Sequence, residues 1–356
     1  MSLPSEQPVT ADLPSLADVL AELHVVQVPL RVRFRGLDVR EVALLRGPVG
    51  WGEFGAFAEY DDAEASWWLA SALEAGWTGW PQPVRPRVPV NATVPSVEAD
   101  RVEEVLAEFD GCTTAKVKVA ERGQALADDV ARVERVRSVM GPDAKIRVDA
   151  NGAWSVAEAI EALTAMAPVG LQYAEQPCAD LSSLAAVRAG LRERGNGTRI
   201  AADESIRKAT DPFEASASGA IDVAVLKVPP LGGVARTLAV ARVLAERHDV
   251  DVVVSSALDT SVGMAAGVAA AAALPSLDLA CGLGTVGLLA ADVTGTPLLS
   301  DGGTLPVGAV DADPALLAEL AAPLDRYAWW TERIRRCHGA LAARATQQAN
   351  DPVTQR

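Results

Sequence analysis

Histidine is scarce in this chain: of 356 residues only His24, His248 and His338 carry an imidazole, and none sits in a motif-like cluster. Proton chemistry therefore falls to other side chains. Lysine is nearly as rare, with 5 lysines against 27 arginines. The four cysteines, Cys112, Cys178, Cys281 and Cys337, lie far apart without a C-x-x-C pair. That spacing argues against a disulfide framework or a structural zinc site, and suits buried thiols in a reducing compartment. Positive charge is in deficit, with a formal net charge of −15, which disfavours nucleic acid or an anionic membrane as partner. The longest apolar run, VGMAAGVAAAAAL at 262–274, is 13 residues, short of the roughly 20 that span a bilayer. The opening MSLPSEQPVTADLP lacks the basic and apolar segments of a signal peptide, so a cytoplasmic protein is expected.

What is present is globular: 49% hydrophobic and 22% charged residues, enough chain for one large domain or two ordinary ones. From residue 87 the pattern becomes regular. Strand candidates stand at 87–94, 115–119, 145–150, 171–175, 199–203, 222–227, 251–256 and 277–281, with helical patterns between most of them. Leu126, Val130, Val133, Val136 and Met140 repeat at near-helical spacing. Ser155 with Glu158 makes a capping box, and Asp211-Pro212 reads as another helix start. Eight strands with intervening helices predict parallel β/α units closing into a barrel. The segment 1–86 differs in kind: a hairpin pattern turns at Arg35-Gly36-Leu37-Asp38, and the Trp-rich WWLASALEAGW comes after it. It is expected to form a small α+β capping domain, completed by residues of about 300–340, over a barrel at 87–299. The end, 340–356, loses apolar periodicity and is expected to fray.

The rare lysines are placed oddly. In C-T-T-A-K-V-K-V-A (112–120), Lys116 and Lys118 are two apart and so share one face of a strand, where like charges cost stability. The strand ends explain the pattern. Lys118, Asp149, Glu175, Asp203 and Lys227 fall at successive intervals of 31, 26, 28 and 24 residues, one β/α unit each. Barrel active sites sit at these ends, with the second and sixth strands opposite one another. Any one such residue is more often a salt-bridge partner in the barrel lining, but the ordered set of five outweighs that reading. Three carboxylates without Cys or His specify a hard cation, Mg²⁺ or Mn²⁺. A small-molecule carboxylate bound there has an acidified α-proton. The base must be neutral, and Lys116 beside Lys118 is a like charge that lowers an amine's pKa.

Smaller signals leave alternatives open. Of Asp203 and Glu204, Asp203 is assigned to the metal and Glu204 to a supporting hydrogen bond. Arg147 either meets a substrate carboxylate or makes a structural ion pair inside the barrel. Ser255, Ser256 and Asp259 either bind the far end of the substrate or cap a helix. G-L-G-T-V-G (282–287) fits a turn closing the barrel mouth better than a dinucleotide site, because Gly and Pro interrupt the residues after it, where a long helix would be needed. Leu231-Gly232-Gly233 reads as a tight strand-to-helix turn, or as an anion-binding helix start.

The set resembles the enolase superfamily, in particular its muconate-lactonizing subgroup, with K-x-K on one strand and a lone Lys four strands on. The resemblance spans nearly the whole chain, including Gly50-Trp51-Gly52-Glu53, I-R-V-D-A-N-G-A-W (146–154), Y-A-E-Q-P (173–177), A-A-D-E-S (201–205) and S-S-A-L-D-T-S-V-G (255–263). It implies an α/β fold: a modified (β/α)8 barrel of (β/α)7β form with an N-terminal α+β capping domain. It implies metal ligands Asp149, Glu175 and Asp203, an acid/base Lys118 and an enolate-stabilising Lys227. Within the subgroup these motifs look most like the branch that dehydrates a hydroxylated cyclohexadiene carboxylate by syn β-elimination. N-acylamino acid racemisation fits the same residues, and a catalytically dead binding barrel is disfavoured because no member of the set is missing.

Overall fold

In the computed structural model, residues 13–207 and 213–349 are described. The helix start at Asp211-Pro212, the opening segment 1–12, the His248 side chain and residues 350–356 lie outside what is described.

The capping domain opens with three strands, β1 (Leu23–Phe34), β2 (Leu37–Arg46) and β3 (Trp51–Phe54), paired antiparallel in that order. The β1–β2 turn is two residues long, with φ of +52° at Arg35 and +74° at Gly36, the left-handed conformation that tight hairpins require. The Trp-rich segment forms the Asp62–Leu73 helix, started by the Asp61 carboxylate accepting the Glu64 amide. It packs on β3 so closely that a Cβ on Gly52 would stand 2.0 Å from the Ala72 carbonyl oxygen. Trp68, Leu69 and Phe54 share one core with Trp330, Ile334, Cys337 and Leu341, residues of the Leu324–Ala349 helix.

The barrel sheet runs β5 (Ala92–Val94), β6 (Thr114–Lys118), β7 (Lys145–Asp149), β8 (Leu171–Glu175), β9 (Arg199–Ala202), β10 (Val223–Lys227) and β11 (Asp251–Ser255), all parallel. Two expected strands differ. The 87–94 segment divides into β4 (Arg87–Pro89), paired antiparallel with β12 (Thr304–Pro306), and β5, which enters the barrel. The eighth strand, expected at 277–281, shrinks to isolated bridges from Cys281 to Val90 and from Gly282 to Ser255. Four backbone hydrogen bonds still close the ring: Cys281 N to Pro89 O, Asn91 N to Cys281 O, Gly282 N to Val254 O and Ser256 N to Gly282 O, all 2.7–2.9 Å. A Cβ on Gly282 would meet Ser255 Oγ at 2.4 Å, so the seam closes only around glycine. The apolar 262–274 run is the buried Ser261–Ala273 helix. Ser155 and Glu158 make the capping box expected of them.

Of the 340–356 stretch expected to fray, the part described is helical instead, the last helix continuing to Ala349. Leu341 is buried in the capping core, and Arg344 donates to Ser66 Oγ and the Ala63 carbonyl. Only one side of this stretch needs to be apolar to dock, which is why its periodicity looked lost. Ending the chain after residue 339 should therefore lower stability by about 2–4 kcal/mol, the scale of one buried Leu with its adjoining hydrogen bonds. Denaturant unfolding measures this, and an unchanged midpoint would show the stretch to be a passive tail.

Candidate active site

Register brings the charged residues together. Lys118 pairs with Asp149 across β6–β7, and Asp149 with Glu175 across β7–β8. Glu175 pairs with Ala201 on β9, which puts Asp203 two residues past it, just after the strand. Lys227 ends β10. All five residues of the predicted set meet at one mouth, together with Lys116.

Ammonium groups alternate with carboxylates there. Lys116 Nζ lies 2.9 Å from Glu175 Oε1 and 3.4 Å from Asp149 Oδ2, spanning the two. Lys118 Nζ donates to Asp149 Oδ2 at 2.5 Å, and Lys227 Nζ to Asp203 Oδ2 at 2.6 Å. On the far side Arg207 Nε stands 3.2 Å from Asp203 Oδ1. Burial raises the Glu175 carboxyl, and the neighbouring Asp149 carboxylate adds to this, to about 7. Burial works against ionised Asp149 and Asp203 as well, but Lys118 and Lys116 hold the first below its usual range, and Lys227 and Arg207 the second. Burial also opposes the Lys116 ammonium, yet Glu175 and Asp149 raise its pKa and keep it charged. Lys118 goes the other way. Burial lowers its pKa, the Lys116 charge lowers it further, and Asp149 only partly offsets them. The expected repulsion between the two lysines is real, but desolvation is the larger cause, and the principal contacts of Lys116 are its two carboxylates.

Asn151 lies within one of the sequence motifs, where nothing about its type or spacing marked it for a role. It adopts φ +46° just past β7, accepts at Oδ1 from Lys118 Nζ at 2.8 Å, donates its backbone N–H to Asp149 Oδ1 and its side-chain Nδ2 to Glu204 Oε1 at 3.3 Å. Arg207, also missed by sequence reasoning, joins Glu204 at 3.0 Å to Tyr60 Oη of the capping domain at 2.9 Å. Its i+4 spacing from Asp203 was the available signal. Glu204 thus sits beside the cluster as a hydrogen-bonding neighbour. Gln176 accepts the Asp203 amide, positioning that turn.

The remaining candidates divide between the barrel interior, the mouth and the joint with the cap. Arg147 is fully buried inside the barrel, and among the described residues it makes no ion pair there. It donates to neutral oxygens of Gln172, Asn91 and Ala280 and stacks on the Tyr173 ring at 4.7 Å. Ser255 and Ser256 line a cavity of about 20 Å³ with Lys116, Lys118, Lys227, Phe34 and Arg35. Ser256 Oγ also meets Thr285 Oγ1. Asp259 does not cap a helix with its side chain; it accepts the Ala257 amide. The helix Ser261–Ala273 is started instead by Glu53 of the capping domain, which accepts from Thr260 N, Thr260 Oγ1 and Gly263 N. After Gly232-Gly233, the free amides of Val234 and Ala235 are taken by the Glu74 carboxylate, so that turn serves no external anion.

Among the described residues, no three Asp, Glu, His or Cys side chains converge as a ready metal cage, because lysine ammoniums are interposed. The donor chemistry nevertheless fits a hard divalent cation. The three carboxylates are oxygen-only donors, Asp203 Oδ1 is buried with an ion-pair contact to Arg207 but no hydrogen bond, and Glu175 is crowded by like charge.

A parallel barrel under an α+β cap, with lysines facing carboxylates at its strand ends, defines the enolase class of barrel proteins. Residues 98–311 match the family model described as enolase C-terminal domain-like, and 25–76 the enolase N-terminal domain-like model. The chain is 55% identical to the o-succinylbenzoate synthase of Mycolicibacterium smegmatis, over 94% of this chain and 100% of that one. It is 54% identical to the o-succinylbenzoate synthase of Mycobacterium leprae, over 95% and 97%. A muconate lactonizing enzyme from Pseudomonas fluorescens, solved with muconolactone, superposes with a TM-score of 0.72 at 20% identity, over 85% of this chain and 98% of that one. The chain belongs to the o-succinylbenzoate synthase family of the enolase superfamily, whose enzymes use a divalent metal ion.

Lys116 carries the electrostatic balance, and its removal should show a definite pH signature. Lys116→Met removes the only ammonium hydrogen-bonded to Glu175 among the described residues and leaves that carboxyl facing Asp149, at a cost of about 3 kcal/mol. Glu175 already sits above its ordinary 4.5 and will rise further. A raised carboxyl makes the fold lose stability as pH climbs from the unfolded value to the folded one. The variant should therefore be more destabilised at pH 8 than at pH 5.5 in denaturant unfolding with chelator present. Equal losses at both pH values would contradict this account of Glu175.

Proposed function

We propose that the chain is a magnesium-dependent hydro-lyase of the cytoplasm. It converts 2-succinyl-6-hydroxy-2,4-cyclohexadiene-1-carboxylate to 2-succinylbenzoate by syn elimination of water, a step of menaquinone synthesis. The observation that supports the mechanism is the largely buried Lys118 amine, lowered by desolvation and by Lys116, at a mouth it shares with Lys227.

Asp149, Glu175 and Asp203 would hold Mg²⁺, or Mn²⁺ in its place, and the cation would supply charge for the substrate carboxylate as its α-proton leaves. Lys118 takes that proton from C1. The C1–H electrons form the new ring double bond as the C6–O bond breaks. The Lys118 ammonium, on the same face, returns the proton to the departing hydroxide, so water leaves and the amine is restored. Lys227 contributes positive charge beside the developing anion, worth about 2 kcal/mol when desolvated. Asn151 and Asp149 hold the Lys118 amine in place. Phe34, its ring 5.4 Å from Lys118 Nζ, keeps the amine under cover. Aromatisation drives the reaction, so the catalytic demand is modest.

The rival reading is an N-acylamino acid racemase, favoured by both amines lining one cavity. There each lysine would serve as base from opposite faces.

Chelation should abolish turnover, and Mg²⁺ or Mn²⁺ should restore it. Asp149→Asn should weaken Mn²⁺ binding at least tenfold in a paramagnetic titration while circular dichroism stays native. Wild-type affinity in that variant would remove Asp149 from the ligand set.

The lysines separate the two reactions. Lys118→Arg should abolish dehydration, since guanidinium cannot accept the proton. Lys227→Arg keeps the charge and should retain measurable dehydration. A racemase loses activity with either change. Rapid α-deuteration of an N-succinyl amino acid in D₂O by the unmodified protein, with negligible dehydration of the cyclohexadiene, would overturn the hydro-lyase reading.

A further inference from the structure

Five arginines lie on the β1–β2 hairpin, and four have oxygen partners. Arg31 donates to the Leu289 carbonyl at 2.9 Å, Arg33 pairs with Asp38 at 3.1 Å, Arg40 donates to the Leu258 carbonyl at 2.9 Å, and Arg46 pairs with Asp311 at 3.0 Å. Arg35 is the exception. Among the described residues it meets no carboxylate or carbonyl, and its guanidinium rests on the Phe57 ring, 4.5 Å from the centroid. It also lines the catalytic cavity.

Its backbone adds a second observation. Arg35 holds φ +52° at the first position of the turn, where Asn, Asp or Gly would be relaxed and an arginine is strained. A long cation kept in a strained position, at a cavity wall and without a protein acceptor, suggests a function for that charge. The turn is also anchored. Behind it, the Pro29 carbonyl accepts the Ala290 amide at 2.8 Å, and Leu30 bridges Leu289. The tip is therefore presented to the mouth from a strand fixed to the barrel.

The other cations lining the cavity are committed. Lys116, Lys118 and Lys227 stand 2.9, 2.5 and 2.6 Å from carboxylate oxygens of the protein. The substrate of the reaction proposed above is a dianion, and only its ring carboxylate is needed at the strand ends. The succinyl carboxylate at the other end requires its own donor. We propose that Arg35 receives this distal carboxylate, making the hairpin tip a specificity-determining element for substrates with a second, remote negative charge. The inference rests on the dehydration reading and names the substrate contact that the reading lacks.

The distal carboxylate does not change charge during elimination, so Arg35 contributes uniform binding: its loss should raise KM and leave kcat nearly unchanged. The test uses the full chain with Mg²⁺ and two probes, 2-succinylbenzoate and its methyl ester at the succinyl carboxylate. For Arg35→Met, calorimetry should give about tenfold weaker binding of the dianion, the scale of one partly exposed charged hydrogen bond, and unchanged binding of the ester. The KM of the cyclohexadiene should rise by a similar factor with kcat within about twofold. Arg35→Lys should recover part of the loss. Arg35→Gly, which relieves the turn while removing the charge, should behave as Arg35→Met does, excluding a folding defect. Equal weakening of dianion and ester, or no weakening of either, overturns the proposal while leaving the dehydration reading intact if the unmodified protein is active. An unmodified protein that neither binds 2-succinylbenzoate nor dehydrates the cyclohexadiene overturns both.

Discussion

Three carboxylates at the ends of neighbouring strands cannot be buried together unless positive charge is placed between them, and this constraint organises the molecule. Lys116 meets it by spanning Glu175 and Asp149, Lys227 and Arg207 by flanking Asp203. Uncompensated, each buried carboxylate would cost several kcal/mol or titrate away its charge. The parallel register of β6, β7 and β8 is thus under electrostatic as well as hydrophobic control. A slip of one residue would turn the lysines toward the helices and the valines toward the mouth. Burial, with the Asp149 charge beside it, raises Glu175 to about 7, and burial with the Lys116 charge lowers Lys118. On the mechanism proposed above, one arrangement would both ready an amine for proton transfer and leave carboxylate charge for a cation.

The cap is joined to the barrel by a related device. Glu53 and Glu74, both on the capping side, accept the first amides of two barrel helices. A buried carboxylate at a helix start satisfies donors that would otherwise be orphaned. Glu53 is raised to about 8 by burial and by Asp259, a sign of how dry the joint is. A Cβ on Gly263 would stand 2.7 Å from Glu53 Cδ, so the glycine is needed for the carboxylate to reach the helix. Tyr60 and Arg207 make a further link beside Glu204. The mouth is accordingly built from both parts of the chain.

Much of this was legible in the residues because β/α repetition leaves a period. Lys118, Asp149, Glu175, Asp203 and Lys227 were identifiable by their spacing alone, since each strand end recurs once per unit. The misses share a physical cause. The eighth strand reduced to bridges at Cys281 and Gly282 because a backbone seam, with no side-chain pattern, closes the ring. Arg147 was open between a substrate contact and an ion pair inside the barrel because alternation puts it on the inner face. Two residues below Asp149, it lies in the barrel interior, bonded to neutral Gln172 and Asn91 rather than to a carboxylate. Asp259 carried the composition of a helix cap, yet the cap came from Glu53, some 200 residues earlier. Contacts of that range leave no local signature.

The short hairpin settles how the site can be both covered and selective. A long loop would have to be ordered at every turnover, at an entropic cost of roughly 1–2 kcal/mol per residue fixed. A two-residue turn held by Ala290 and Arg31 carries that cost in the folded state. Phe34, buried beside Lys118, then excludes water from the amine without closing over it anew. What the rigid tip gives up is adaptability: it can favour only ligands whose charge reaches it. For a reaction driven by aromatisation the chemistry demands little of the site, so a fixed tip that recognises the far end of the substrate is where selectivity can be placed without slowing the proton transfer.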